Sequence, residues 1–478
     1  VTDVADHGLL DAGTLRVRSL TSDEAVLAAL LDVELAWAHA LVDTCDAPTA
    51  LPAALEKAAG HLDLDTAALA AAAEAGGNPV IPLVRALKDA VGQTDPDSAE
   101  WVHRGLTSQD ALDSALMLVA ARTLDRLHAD LVAASSALAR LAQEHRETVM
   151  VARTLAQHAL PTTFGAKAAG WLEAVLDARE RVVGVRATLP VQCGGAAGTL
   201  ALAELLTRGR TDDLATAFAA RLGLVWPGSP WHTRRSPVTG LGDALATVTD
   251  ALSKVAADVV LLSRPEVGEL SEPAARGRGG SSTMPQKRNP VLSVLIRSVA
   301  LQAPHLVASL HTSAALAVDE RPDGAWHAEW PVLRRLLQIG SGAAALGAEL
   351  LDGLEVHADA MAVRLEQAGP LVLAERLQAE LPARLGGGPD AVGQVKELLE
   401  RAGAAADPRA VLRDGIPVEA VSDHDLETML DPRRYLGVTE DLVDRAVQRA
   451  ARVDAAAGAA TAAGASTTAE GDRDGHGS

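Results

Sequence analysis

Aromatic residues are scarce in this chain. Two Phe, one Tyr and seven Trp make up 2% of its 478 residues. The core must therefore be filled by Ala, Leu and Val, drawn from the 48% of residues that are hydrophobic. Alanine and leucine are the strongest helix formers. The scarcity thus points to an all-α protein whose small side chains let long helices approach closely. Cysteine is almost absent too. Cys45 and Cys193 alone make neither a disulfide framework nor a metal cluster, and they read as idle thiols in a reducing compartment. No uninterrupted apolar run is read as long enough to cross a bilayer, and no leader segment is recognised. The expectation is a soluble, cytoplasmic protein that holds no metal.

Positive charge is in deficit. Lys and Arg number 43 against 63 Asp and Glu, for a net charge of −20. That balance excludes general nucleic-acid binding and attraction to an acidic membrane surface. Yet the deficit reverses locally. No Asp or Glu occurs from Pro273 to Val318, a stretch that carries Arg276, Arg278, Lys287, Arg288 and Arg297. A basic island on an acidic protein suggests a small anionic ligand.

Glycine and proline are missing from Leu106 to Leu160, from Asp243 to Arg264 and from His305 to Arg321. In the first run Leu112, Leu116, Val119, Leu124, Leu127, Leu131, Leu138 and Leu141 keep mostly helical spacing. One helix of that whole length would span roughly 80 Å, so the spacing predicts a long helix ending near Glu147, a turn, and a segment leading to Pro161. Thr21-Ser22-Asp23-Glu24 reads as a helix start, and Asn78-Pro79-Val80-Ile81-Pro82 as a break before another helix. The division expected along the chain is an N-terminal helical domain (1–104), a central long-helix bundle (105–355), a C-terminal helical domain (356–454) and a disordered Ala/Gly-rich tail (455–478). Helices longer than one compact domain needs favour an oligomer that shares the bundle.

Against these absences stands one dense stretch. Residues 279–290 read Gly-Gly-Ser-Ser-Thr-Met-Pro-Gln-Lys-Arg-Asn-Pro. Glycines free the backbone at one end and prolines prevent an ordinary helix. What remains is a donor-rich loop carrying Lys287 and Arg288, able to close over an anion and set a hydroxyl beside a reacting carbon. Two further segments carry chemistry. His103-Arg104-Gly105-Leu106-Thr107-Ser108-Gln109-Asp110 opens the long helix, where free N–H groups and the dipole suit a carboxylate. The same residues also make an N-cap, with Asp110 in the first turn. The small-residue run Gly194-Gly195-Ala196-Ala197-Gly198 permits close backbone approach, either to a ligand or to a neighbouring helix.

Residues 279–290 resemble the signature loop of the fumarase/aspartase superfamily, Gly-Ser-Ser-x-Met-Pro-x-Lys-x-Asn-Pro, at every fixed position. The segments 103–110, 153–165 and 192–200 resemble others of that superfamily. Asn78 to Val84, Asp319-Glu320-Arg321 with Gly324 to Trp330, and Gly369 to Glu375 resemble its 3-carboxy-cis,cis-muconate cycloisomerase branch. The resemblance implies a three-domain all-α fold in a homotetramer, with sites shared between subunits. It implies a small anionic tricarboxylate substrate, lactonised without any cofactor. Ser281, Lys287 and His158 would be catalytic; Thr107, Ser108, Gln109, Ser282, Asn289 and Arg321 would bind substrate. Two departures stand out. Leu155 occupies the position where adenylosuccinate and argininosuccinate lyases keep a catalytic histidine, and where cycloisomerases usually have tryptophan. After Trp231-His232-Thr233, Arg234-Arg235-Ser236-Pro237 replaces an Arg-Asp-Arg segment and keeps only its first arginine. A superfamily lyase acting on adenylosuccinate, or a non-catalytic homotetramer, remain the alternatives.

Overall fold

The computed structural model describes residues 8–62, 64–281 and 283–471, the side chains beyond 456 excepted. It is mostly helical, as the composition requires. By compactness the chain divides into two units, each assembled from separate stretches.

The first unit comprises Val1–Val132, Ala178–Ser253 and Val294–Gly347. Ser22 caps the helix Asp23–Thr44, its hydroxyl accepting from Ala25 N at 3.3 Å, a contact of the kind that contributes about 1 kcal/mol. Asn78 starts the helix Val80–Gly92 by accepting from Val80 N at 3.1 Å. The long helix is Ser108–Glu144, three residues shorter than expected. All eight of its periodic apolar positions are buried. From Gln109 to Ala121 it is buried on every face, which makes it the centre of the unit. Helix Ser236–Leu262 covers the second Gly/Pro-free run, whereas the third holds only the 13-residue helix Ala303–Ala315; the long helix Gly324–Asp352, which contains Pro331, was not expected. Here small residues set the spacing: a Cβ added to Gly340 would lie 3.0 Å from Leu245 Cδ2 and 3.7 Å from Leu127 Cδ1.

The second unit comprises Ala133–Asp177, Lys254–Ser293 and Ala348–Ser478. Its short C-terminal helices close on Leu377, Leu381, Val395, Leu398, Leu412 and Leu426. Two small antiparallel sheets correct the all-α expectation. Strands β1 (Val149–Thr154) and β2 (Gln157–Thr163) form a hairpin in which Arg153 faces His158, with a register irregularity between Val151 and Arg153. Strands β3 (Leu270–Ser271) and β4 (Glu355–Val356) pair further on. The last helix is Thr439–Gly471, which its alanines favour; residues 472–478 of the expected tail lie outside the described residues.

Among the described residues, two helical stretches are apolar and long enough to cross a membrane by length and composition, against the expectation of none: Leu15–Thr44 and Val291–Ala315. The first is half buried in its own unit and carries the buried Glu34 and Trp37, so it packs as a core helix. The second is two helices, Val291–Ala300 and Ala303–Ala315, with a third of its residues buried.

Candidate active site

The expected site residues fall into two groups, one in each unit. In the first unit the group is built on the start of the long helix. Ala111 N donates to Thr107 O at 3.2 Å, so Thr107 is the cap. Three residues on, the buried Asp110 carboxylate reaches back to accept from Thr107 N at 3.0 Å, which is half of a capping box. The same carboxylate accepts from Gly195 N at 2.8 Å and pairs with His232 Nε2 at 2.8 Å. The small-residue run thereby finds its role in packing. A Cβ on Gly194 would lie 2.7 Å from His232 Cε1, and Gly195 adopts a positive φ of 68° to aim its N–H at Asp110.

Gln109 is wholly buried and both of its amide hydrogens are engaged, donating to His232 O at 3.0 Å and Asp113 Oδ2 at 3.3 Å. No N–H is left on this side chain for a carboxylate. Its oxygen instead accepts from Arg321 Nε at 3.4 Å, so Gln109 holds Arg321 against the helix start. Ser108 is half-buried and opens on a cleft of about 350 Å³, lined also by Ile81, Val84, Arg85, Lys88, Asp89 and His103.

Beneath this start lies a buried ion cluster that the sequence reading missed. The Arg235 guanidinium forks onto Asp113 at 2.7 and 3.1 Å and onto Glu329 at 2.6 and 3.0 Å, and its plane lies over the Trp231 ring. Trp326 Nε1 and Gln192 Nε2 also donate to Asp113. Burial works against the guanidinium charge, but the two carboxylates outweigh it and hold Arg235 firmly protonated. The arginine kept from the Arg-Asp-Arg pattern is thus an internal tie. Its partners lie 122 and 94 residues away, so spacing along the chain carried no signal of them.

His103, the first residue of the 103–110 segment, was given no role of its own. It takes a positive φ of 59° and pairs through Nδ1 with Glu34 at 2.6 Å. Burial pulls the imidazole pKa down, but the Glu34 charge and hydrogen bond overcome this, and the net shift is upward from 6.5. A base whose pKa is raised on folding stabilises the fold fully below its unfolded value and loses that contribution as pH rises through the folded one. Urea denaturation across pH 6 to 9 should therefore show stability falling above about 6.5. Glu34→Gln should flatten that fall, and an unchanged slope would remove the pair as its source.

In the second unit the group is the signature loop and the hairpin. The two arms of the loop meet at Gly280 and Arg288. Asn289 closes the neck, donating from N at 2.9 Å and from Nδ2 at 3.0 Å to Gly279 O. Gly279 is required there: its φ is 68°, and a Cβ would lie 2.6 Å from Asn289 O. Glu272 accepts from Leu292 N and Ser293 N at 3.0 and 2.7 Å, anchoring the exit of the loop. Just inside the neck, Ser281 Oγ accepts from Thr283 N at 3.3 Å and Met284 N at 3.1 Å. Two N–H dipoles converging on one hydroxyl oxygen favour negative charge there. Ser282 lies outside the described residues. Lys287 and Arg288 are exposed, whereas Arg278 is paired with Glu349.

His158 is an exposed residue of β2. Beside it Arg153 forms a two-pronged pair with the buried Glu269, at 2.9 and 2.8 Å. The hairpin turns through Leu155 and Ala156, both left-handed at φ 49° and 64°, and Leu155 is 98% exposed. Among the described residues no group of His, Cys, Asp and Glu is arranged to hold a metal ion.

These features agree with the comparisons. A family model described as Lyase matches residues 16–304. The chain is 47% identical over 457 residues to a nitrosuccinate lyase of Streptomyces davaonensis, covering 93% of this chain and 95% of that one. It is 40% identical to a 3-carboxy-cis,cis-muconate cycloisomerase of Pseudomonas aeruginosa, covering 94% and 97%. The solved structure of 3-carboxy-cis,cis-muconate lactonizing enzyme from Pseudomonas putida superposes with a TM-score of 0.86 at 37% identity, covering 93% and 99%. The chain belongs to the fumarase/aspartase superfamily of lyases.

Proposed function

We propose that this enzyme makes or breaks a bond at the carbon β to a carboxylate, and that the group which adds or leaves is a weakly basic anion. The observation carrying this is Leu155. Adenylosuccinate and argininosuccinate lyases, which expel a nitrogen leaving group, keep a histidine there, whereas an anion that is already a weak base departs without a proton. The reading placed first is lactonisation of 3-carboxy-cis,cis-muconate to 4-carboxymuconolactone. One substrate carboxylate adds to a double bond of the same molecule, forming the C–O bond, and a proton goes to the neighbouring carbon. Ser281 exchanges that proton, with the N–H groups of Thr283 and Met284 supporting its oxygen when it is negative. Lys287 and Asn289 stabilise the charge that builds on the carboxylate next to the reacting carbon, and His158 orients a carboxylate or assists the transfer. Thr107, Ser108 and Arg321 hold the remaining carboxylates. Orientation supplies much of the rate in such an intramolecular step, and the substrate's own carboxylate serves as electron sink, so no cofactor enters.

The second reading has its own support in the 47% identity to a nitrosuccinate lyase. Ser281 would then remove the proton, the C–N bond would break with its electron pair, and nitrite would leave fumarate behind. Both readings place the enzyme in a homotetramer that brings the helix-start group and the loop group together from different copies. The exposed Val294, Leu301, Leu316 and Val318 give that assembly apolar surface to cover. The three-domain division along the chain belongs to the same proposal. One panel tests it, without added cofactor: loss of diene absorbance from 3-carboxy-cis,cis-muconate, nitrite from nitrosuccinate, and fumarate from adenylosuccinate. Diene loss is expected. Nitrite alone would install the second reading, and fumarate from adenylosuccinate would overturn both.

A further inference from the structure

The cleft beside Ser108 holds more positive charge than the helix start needs. Helix Val80–Gly92 buries Val80, Leu83, Val84, Leu87 and Val91. Ile81, Val84, Arg85 and Lys88 follow at three- and four-residue intervals and line the cleft. Arg85 and Lys88 are exposed and have no hydrogen bond or ion pair among the described residues. Across from them His103 is backed by the buried Glu34, whose Oε2 is itself without a partner. Lys88 lies near enough for its charge to oppose that of the imidazole. Asp89 is the one carboxylate on the lining. Ser108 brings the first turn of a 37-residue helix to the same space. Two unpaired cations, a histidine and a helix start around about 350 Å³ leave room for a carboxyl-bearing arm of a small molecule.

We propose that Arg85 and Lys88 form a carboxylate subsite, taking an anionic group of the substrate remote from the reacting carbon. This rests on the reading of the enzyme as one that acts on a polycarboxylate, and it names the residues that distinguish three carboxylates from two. Apolar contact from Ile81 and Val84 would lie along the carbon chain between the charged ends. A guanidinium matches a carboxylate with two parallel donors, while the ammonium serves as a point charge.

The test uses the full-length protein and two unreactive probes, tricarballylate and succinate, with affinities measured by calorimetry. Wild type should bind tricarballylate about tenfold more tightly than succinate, the scale of one charge-assisted contact. Arg85→Gln with Lys88→Gln should remove that preference while succinate affinity stays within about twofold, with an unchanged melting temperature confirming the fold. Equal losses for both probes, or none for either, would overturn the subsite. The outcome is separable from the turnover assay. Discrimination without diene turnover keeps the subsite and discards lactonisation, and turnover without discrimination does the reverse.

Discussion

Ser281→Ala should lower kcat by about 10³-fold, within the range expected for removing a positioned proton-transfer group. An ordinary serine hydroxyl is a poor acid and a poor base. The loop changes this by local means, since Thr283 N and Met284 N both point at Oγ. Negative charge on that oxygen is then met by two donors already in place, with no reorganisation at the moment of transfer. Alanine deletes the oxygen and leaves those N–H groups to solvent, at little structural cost because both residues are exposed. The melting temperature should therefore hold while kcat collapses, and KM should change little because Lys287 and Asn289 remain. A fall in KM-dependent affinity equal to the fall in kcat/KM, with kcat intact, would make Ser281 a binding residue instead. A variant with full activity would remove proton transfer from the loop.

How far the sequence discloses this arrangement depends on how local each feature is. The Thr107–Asp110 cap was legible because its partners lie three residues apart on a helix whose apolar spacing is unmistakable. The signature loop was legible for the same reason: Gly279 and Asn289 close it over ten residues. The hairpin was not. Its turn uses Leu155 and Ala156 in left-handed conformations, where Asn or Gly is the usual signal, so nothing interrupted the Gly/Pro-free run that read as helix and connecting segment. Gln109 was read as a ligand donor because its position fits. Only the fold reveals that its amide is taken by Asp113 and His232. The Arg235 cluster unites residues from three distant segments, and the sequence offered only a comparison with an Arg-Asp-Arg pattern, which gave Arg235 no partner.

Replacing that arginine gives the largest expected effect on stability. Arg235→Met keeps the apolar stem of the side chain but leaves Asp113 and Glu329 facing each other, both almost fully buried. Breaking a buried pair in this way costs about 3–5 kcal/mol, because an uncompensated charge remains. Trp326, Gln109 and Gln192 still donate to Asp113, so Glu329 should bear most of the loss. Burial already raises its pKa and Arg235 offsets part of that rise; without the guanidinium the carboxyl should take up a proton. The loss in Arg235→Met should then lessen as pH falls toward 5, and Arg235→Met with Glu329→Gln should recover part of the stability at neutral pH. Urea denaturation of the single and double variants at two pH values measures this. A double variant no better than the single would place the cost in lost packing against Trp231 instead of stranded charge. Activity should follow stability here, since Asp113 also receives the amide of Gln109, which in turn holds Arg321 at the helix start. Lysine is a poor substitute at 235: one ammonium cannot replace a fork that engages two carboxylates with five N–H donors, so Arg235→Lys should fall between wild type and Arg235→Met.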